Sequence, residues 1–449
     1  MTMEGVEDDP DVRSGLDWLV SSTGDVGGFW ERMECAQQTY RDCTKTPQNR
    51  GRDPELESLG PDVVGAFFAQ AKSLLDDRSS YDFALASRVA PWVGQLGRVS
   101  AELDRIPGAV ERAVRMLEKR TEPPDSTMFE LVMAGNYASA GFGAEFIEEK
   151  KGGRKTPDLR ITTSFLPTPI FLEFKRLRPG QYEIAERRRQ KVLFRHVAAL
   201  IDARQLSVSM DVTYTRALAD IPDGYLADHL AQALASPIIT LGSYPWRDEF
   251  GFGEVRGTDL GAVRQDIATN GPLYFGTKLA RLLSGRVVRE NGYNMAAAAD
   301  PDERDPRYVE SIRYGSVITW QCIAPAAIER KARYVKSKLA EADEQLAEHG
   351  FGMAHFALDA ELHCQSSDLR RERNLEALRH FQPKSRLLAF AVHYLVPRIS
   401  EAHAWLVDET VDHFSINGVA DATRKIFTDS VSLSNDLPAW KQDLPLPEP

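Results

Sequence analysis

Cysteine is scarce in this 449-residue chain, with four in all: Cys35, Cys43, Cys322 and Cys364. They are scattered and form no Cys-x-x-Cys pair, so spacing points to neither a structural zinc centre nor a disulfide framework. A reducing cytoplasm fits that usage. No apolar run approaches the length of a membrane span. The N-terminus carries Glu4, Glu7, Asp8 and Asp9, where a signal peptide would be basic and then apolar. Among the nine histidines, His355 and His363 lack ligand-spaced company and read as structural. No internal repeat is visible. An excess of positive charge is missing too: the net charge is −11, so the surface as a whole does not attract nucleic acid. Any such contact must come from a local basic patch. The composition leaves self-association as a homo-oligomer open, and membrane partners are not expected.

The length allows two or three domains with a sizeable core. Residues 1–27 read as loosely ordered and 28–122 as a helical N-terminal region. An α/β core is expected over 123–216, an α/β extension over 217–440, possibly on the same sheet, and a tail over 441–449. In the helical region Val110, Ala113, Val114 and Leu117 recur at helical spacing.

Residues 127–175 hold the chemistry. A helix is expected from about Met128 to Ala140, then a strand through Phe142, Ala144 and Phe146, and a strand Leu159–Thr163 opened by Pro157-Asp158. A return through Pro167 and Pro169 leads into Ile170-Phe-Leu-Glu-Phe-Lys175. Side chains alternate along a strand, so Glu173 and Lys175 share a face in a segment that otherwise reads as core. Burying charges is costly unless they are paired or bind a metal. The hairpin-like return would bring Asp158 beside Glu173. Two close carboxylates raise each other's pKa, a conflict that a hard divalent cation such as Mg2+ or Mn2+ removes. An adjacent lysine can orient water for metal-assisted phosphodiester hydrolysis.

Pro157-Asp158 followed by Glu173-Phe174-Lys175, with Glu130 on the preceding helix, resembles the PD-(D/E)XK nuclease superfamily over about residues 125–215. The resemblance implies a restriction-endonuclease-like mixed sheet with an αβββαβ core flanked by helices. It implies Asp158 and Glu173 as Mg2+ ligands, completed by the backbone carbonyl of Phe174. Lys175 would position the attacking water, and Glu130 would assist. Helix Tyr182–Arg204 and strand Leu206–Tyr214 would complete the core. DNA is the expected substrate, with restriction, phage defence or repair as roles the resemblance permits. Thr127-x-x-Glu130 also reads as a capping box, which would make Glu130 structural. The alternative function is a nuclease-fold protein that no longer cuts and serves as a nucleic-acid-binding or assembly module.

Charge around the motif contrasts with the rest of the chain. Residues 150–191 contain twelve basic and four acidic residues. Lys150, Lys151, Arg154, Lys155, Arg176, Arg178, Arg187, Arg188, Arg189 and Lys191 are candidate phosphate contacts. Their plain alternative is a solvated face. Gln190-x-x-x-Phe194 resembles the Gln-x-x-x-Tyr motif of exonuclease-type members, with Phe in place of Tyr. Further along, Ile328, Ala332, Val335, Leu339, Ala342 and Leu346 mark a long amphipathic helix expected to pack on the sheet. Residues 352–359 and 386–396 read as strands, and 289–307 as a long loop.

Overall fold

The first helix begins earlier than its polar composition suggests. Asp9 accepts from the backbone N–H groups of Asp11 and Val12, and Pro10 occupies the first turn, so α1 (Pro10–Thr23) is capped and pre-set at its start. Val12, Leu16 and Leu19 bury its inner stripe. The stretch read as loosely ordered is therefore helical from residue 10. The computed structural model describes residues 9–45, 60–77, 80–148, 155–164, 166–236, 242–271, 273–274, 276–286, 288, 292–305, 307–361, 364–398, 406–416, 425–427 and 438–441.

Helices α2 (Phe29–Lys45), α3 (Val63–Asp76), α4 (Phe83–Arg98), α5 (Ser100–Leu103) and α6 (Ala109–Leu117) follow, then α7 (Asp125–Ser139). They share one apolar core with the first sheet. Trp92 of α4 meets Phe129 of α7 at 6.2 Å between ring centroids, and Phe129 meets Phe174 at 5.6 Å. Gly108 opens α6 at φ 86, where a Cβ would come within 2.8 Å of Phe146 Cβ. Only glycine lets α6 start this close to the neighbouring strand.

That strand is β1 (Gly143–Phe146), which pairs antiparallel with β2 (Leu159–Thr163), which pairs antiparallel with β3 (Leu166–Leu177). Pro167 and Pro169 lie inside β3 rather than in the return turn. The register shifts between Ile161 and Thr163, opposite the prolines, which lack the N–H that a regular ladder needs.

The chain then leaves this sheet. α8 (Gln181–Arg204), β4 (Val208–Tyr214), α9 (Tyr225–Ala235), β5 (Ser243–Arg247), β6 (Gly251–Gly257), α10 (Leu260–Asn270), β7 (Leu273–Tyr274), α11 (Thr277–Ser284), β8 (Tyr293–Pro301) and β9 (Tyr308–Cys322) come next. Their strands form a second mixed sheet ordered β5-β6-β4-β9-β7, with β8 also on β9. Leu193, Val197 and Ile201 of α8 pack with Val208, Met210 and Val212 of β4 in this second core. Helix and strand 182–214 therefore do not complete the first sheet, as the αβββαβ count over 125–215 had it. Residues 289–307 are not one long loop either. Their alanine-rich run lacks the β-branched signal of a strand, but pairing with β9 holds it extended.

α12 (Pro325–Leu346) crosses back and delivers β10 (Phe351–Asp359), which pairs parallel with β3. Its apolar stripe is the one the spacing predicts, and it covers the sheet face opposite α7. After α13 (Gln365–Arg379), β11 (Arg386–Arg398) runs parallel to β10, and β12 (Leu406–Ser415) closes the edge antiparallel. The first sheet is thus ordered β1-β2-β3-β10-β11-β12, with helices on both faces. No described helix is long and apolar enough to cross a membrane.

Candidate active site

β3 is long because it serves two neighbours in turn. β2 accompanies it only to Leu172, while β10 runs beside it from Ile170 to Leu177. Where β2 begins, Asp158 completes the pairing: its N–H donates to the Leu172 carbonyl at 2.9 Å. Its Oδ2 accepts the Phe174 N–H at 2.8 Å, so the carboxylate lies at the edge of the sheet. N–H and C=O of one strand residue point to the same side, so the Phe174 carbonyl faces this edge too.

Glu173 is fully buried, and Lys175 donates to its Oε1. Its other oxygen, Oε2, is buried with no hydrogen-bond partner. Burial first, and then the Asp158 charge, push the Glu173 carboxyl up to about 8; Lys175 and Lys155 pull the other way. Burial works against the Lys175 ammonium, yet the Glu173 carboxylate beside it holds its pKa above the usual lysine range. Asp158, Glu173 and Lys175 therefore stand together.

Glu130 joins through an intermediary. Its helix starts at Asp125, with Pro124 as the cap residue, so Thr127 is no N-cap and the capping-box reading does not hold. Instead Glu130 Oε2 lies 2.9 Å from Nη1 of Arg112, and the same nitrogen is 3.9 Å from Asp158 Oδ1. Arg112 is buried and stacks on the Phe146 ring at 5.1 Å. The sequence contained a signal for it. In α6 the buried positions are Ala109, Arg112, Ala113, Met116 and Leu117, a helical stripe in which arginine takes a core place. The stripe through Val110 and Val114 is out of frame with this and turns Arg112 outward.

The candidate phosphate contacts divide. Lys155, Arg188 and Lys191 are exposed. Arg176 is not available: its side chain is 8 % exposed and pairs with Asp125 and Asp359. Arg178 pairs with Asp125 and Glu122 and donates to the Pro123 carbonyl, tying β3 to the start of α7. Arg189 donates to the Leu218 and Ile221 carbonyls and pairs with Asp223. Gln190 is buried between Tyr214 and Asn294, which gives it a structural role. Arg187 lines a small polar cavity of about 40 Å³ with Glu183, Glu186 and Lys331. Lys150, Lys151 and Arg154 lie outside the described residues, as does His363. A cleft of about 520 Å³ opens beside the start of α7, and none of Glu130, Asp158, Glu173 and Lys175 lines it.

Among the described residues, no group of three or more His, Cys, Asp or Glu side chains has the geometry to hold a metal. The donors present still suit a hard cation. Asp158 and Glu173 offer carboxylate oxygens, one of them buried and unsatisfied, and Mg2+ needs only one or two carboxylates when water and substrate fill the rest of its shell. No family model, curated protein or solved structure matches this chain.

Proposed function

We propose that this chain is a divalent-metal-dependent nuclease of PD-(D/E)XK type, hydrolysing phosphodiester bonds, with DNA as the first substrate to try. One observation carries the proposal: the buried, unpartnered Glu173 Oε2 beside Asp158 and Lys175. A buried carboxylate left unsatisfied costs stability, and cation binding gives that cost a use. The order helix α7, strands β1 to β3, crossover helix α12 and parallel strand β10 supports the same assignment, with the second sheet inserted between β3 and α12.

When bound, the cation supplies Lewis-acid polarisation of a phosphodiester oxygen. Asp158 and Glu173 would hold it, with the Phe174 carbonyl on the same edge. Lys175, paired with Glu173, would orient the attacking water. The exposed Lys155, whose charge reaches Glu173, attracts the phosphate. A binding module that does not cut is the second reading, favoured by the ion pairing that already occupies Glu130.

The test is incubation of the purified protein with plasmid, linear and single-stranded DNA and with RNA, in Mg2+, Mn2+ or EDTA. Metal-dependent cleavage of at least one substrate is expected. Binding without cleavage under every condition would select the second reading.

A further inference from the structure

Arg112 links Glu130 and Asp158. Its guanidinium lies between the two carboxylates, 2.9 Å from one and 3.9 Å from the other, and also donates to the Asp158 carbonyl at 3.5 Å. The guanidinium is built in rather than incidental. α6 is set against β1 by Gly108 and by the Phe146 N–H donating to the Pro107 carbonyl at 2.9 Å, and the Phe146 ring then backs the guanidinium. The Arg112 side chain is only 7 % exposed. A fixed positive charge therefore sits where two carboxylates from different elements converge.

We propose that Arg112 is a resident cation that takes the place of a second metal ion, so that the site binds one divalent ion, at Asp158 and Glu173, and Glu130 serves Arg112 rather than metal. The inference rests on the nuclease reading of the same residues. A dication and a guanidinium cannot share the Glu130–Asp158 gap, since like charges a few ångströms apart in a poorly solvated site repel strongly. Arginine also holds its charge at any working pH, so the substitution is permanent. Arg112 in this sense sets the number of ions.

The experiment counts Mn2+ bound per chain, by paramagnetic resonance of free Mn2+ and by calorimetry, without any activity readout. Wild type is expected to bind one ion. Arg112→Gln, which vacates the gap but keeps Glu130, is expected to bind two. The double variant Arg112→Gln/Glu130→Gln, which removes both charges of the pair, is expected to return to one ion at an affinity within about threefold of wild type, and it keeps the test alive if the single variant fails to fold. Two ions in wild type, one in Arg112→Gln, or a tenfold weaker ion in the double variant would each overturn the inference while leaving the nuclease reading standing. No bound ion in wild type would remove the metal-dependent reading itself, and the inference with it.

Discussion

Two buried polar clusters belong to the first sheet, and they differ in one respect. Around β11 and β12, Tyr137, His355, His393 and Glu409 form a continuous chain, with hydrogen bonds of 2.9, 3.0 and 2.5 Å. Glu409 also accepts the N–H groups of Ile426 and Phe427 at 3.0 and 2.9 Å. Each link has one donor when Tyr137 donates its O–H to His355, His355 its Nδ1–H to His393, and His393 its Nδ1–H to Glu409. The chain ends on Glu409, and both Glu409 oxygens are used. Around β3, Glu173 leaves an oxygen with nothing to accept. A satisfied buried network specifies structure; an unsatisfied buried group calls for an explanation, and a bound ion is one. α7 carries a member of each, Tyr137 and Glu130, seven residues apart and two turns along the helix.

The largest effect that would separate the clusters is on catalysis. Lys175→Ala should lower cleavage by about 10²–10⁴-fold, the scale for losing a positioned proton-handling group, while Mn2+ binding persists. Tyr137→Phe, which cuts the other chain at its end, should leave cleavage within a fewfold. Gel-based rates on one substrate compare the two variants.

Stability should show the reverse. Glu409→Leu strips the acceptor from His393, Ile426 and Phe427, at about 1–3 kcal/mol for each buried donor left unsatisfied. Urea denaturation should record a loss of several kcal/mol. Glu173→Gln should lose far less, because the group it replaces is only half satisfied. Equal losses would erase the distinction.

The pH dependences should have opposite signs. Glu173 is raised in the folded state, so between about 4.5 and 8 the folded protein holds a proton that the unfolded chain has released; stability from this group falls as pH rises. His355 is held well below the usual histidine range, by burial first and then by His393 and His413. The unfolded chain therefore takes up the proton first, and stability from His355 falls as pH drops below about 6.5. Urea midpoints from pH 5 to 9 should lose the alkaline slope in Glu173→Gln and keep the acid one.

The smallest effect concerns the basic surface. Arg188→Glu with Lys191→Glu should flatten the salt dependence of DNA binding by up to about 0.9 for each phosphate no longer neutralised. Arg189→Gln should instead destabilise the 218–223 turn and leave the salt slope alone, since that side chain is spent on backbone carbonyls.

The motif was legible where chemistry and local pattern agree. Asp158, Glu173 and Lys175 follow from a turn residue at a strand start and from alternation along β3, and both features are local. The α12 stripe was legible for the same reason. The second sheet was not, because nothing local says that the chain leaves the first sheet after Leu177 and returns at Phe351. α8 and β4 fit the expected count by type, and only tertiary pairing assigns them elsewhere. Arg176, Arg178 and Arg189 show the limit of a charge count, since their partners come from distant segments or from backbone carbonyls. Glu409 and His393 were invisible as partners because their link is cross-strand, sixteen residues apart.

The most direct measurement is the titration of the Glu173 carboxyl by carbon-detected NMR, with and without Mg2+. A pKa near 8 is expected in the metal-free protein, with a large downward shift on adding Mg2+, because the cation takes the oxygen that has no partner. A Glu173 that titrates in the ordinary carboxylate range and ignores Mg2+ would contradict a metal site at this carboxylate.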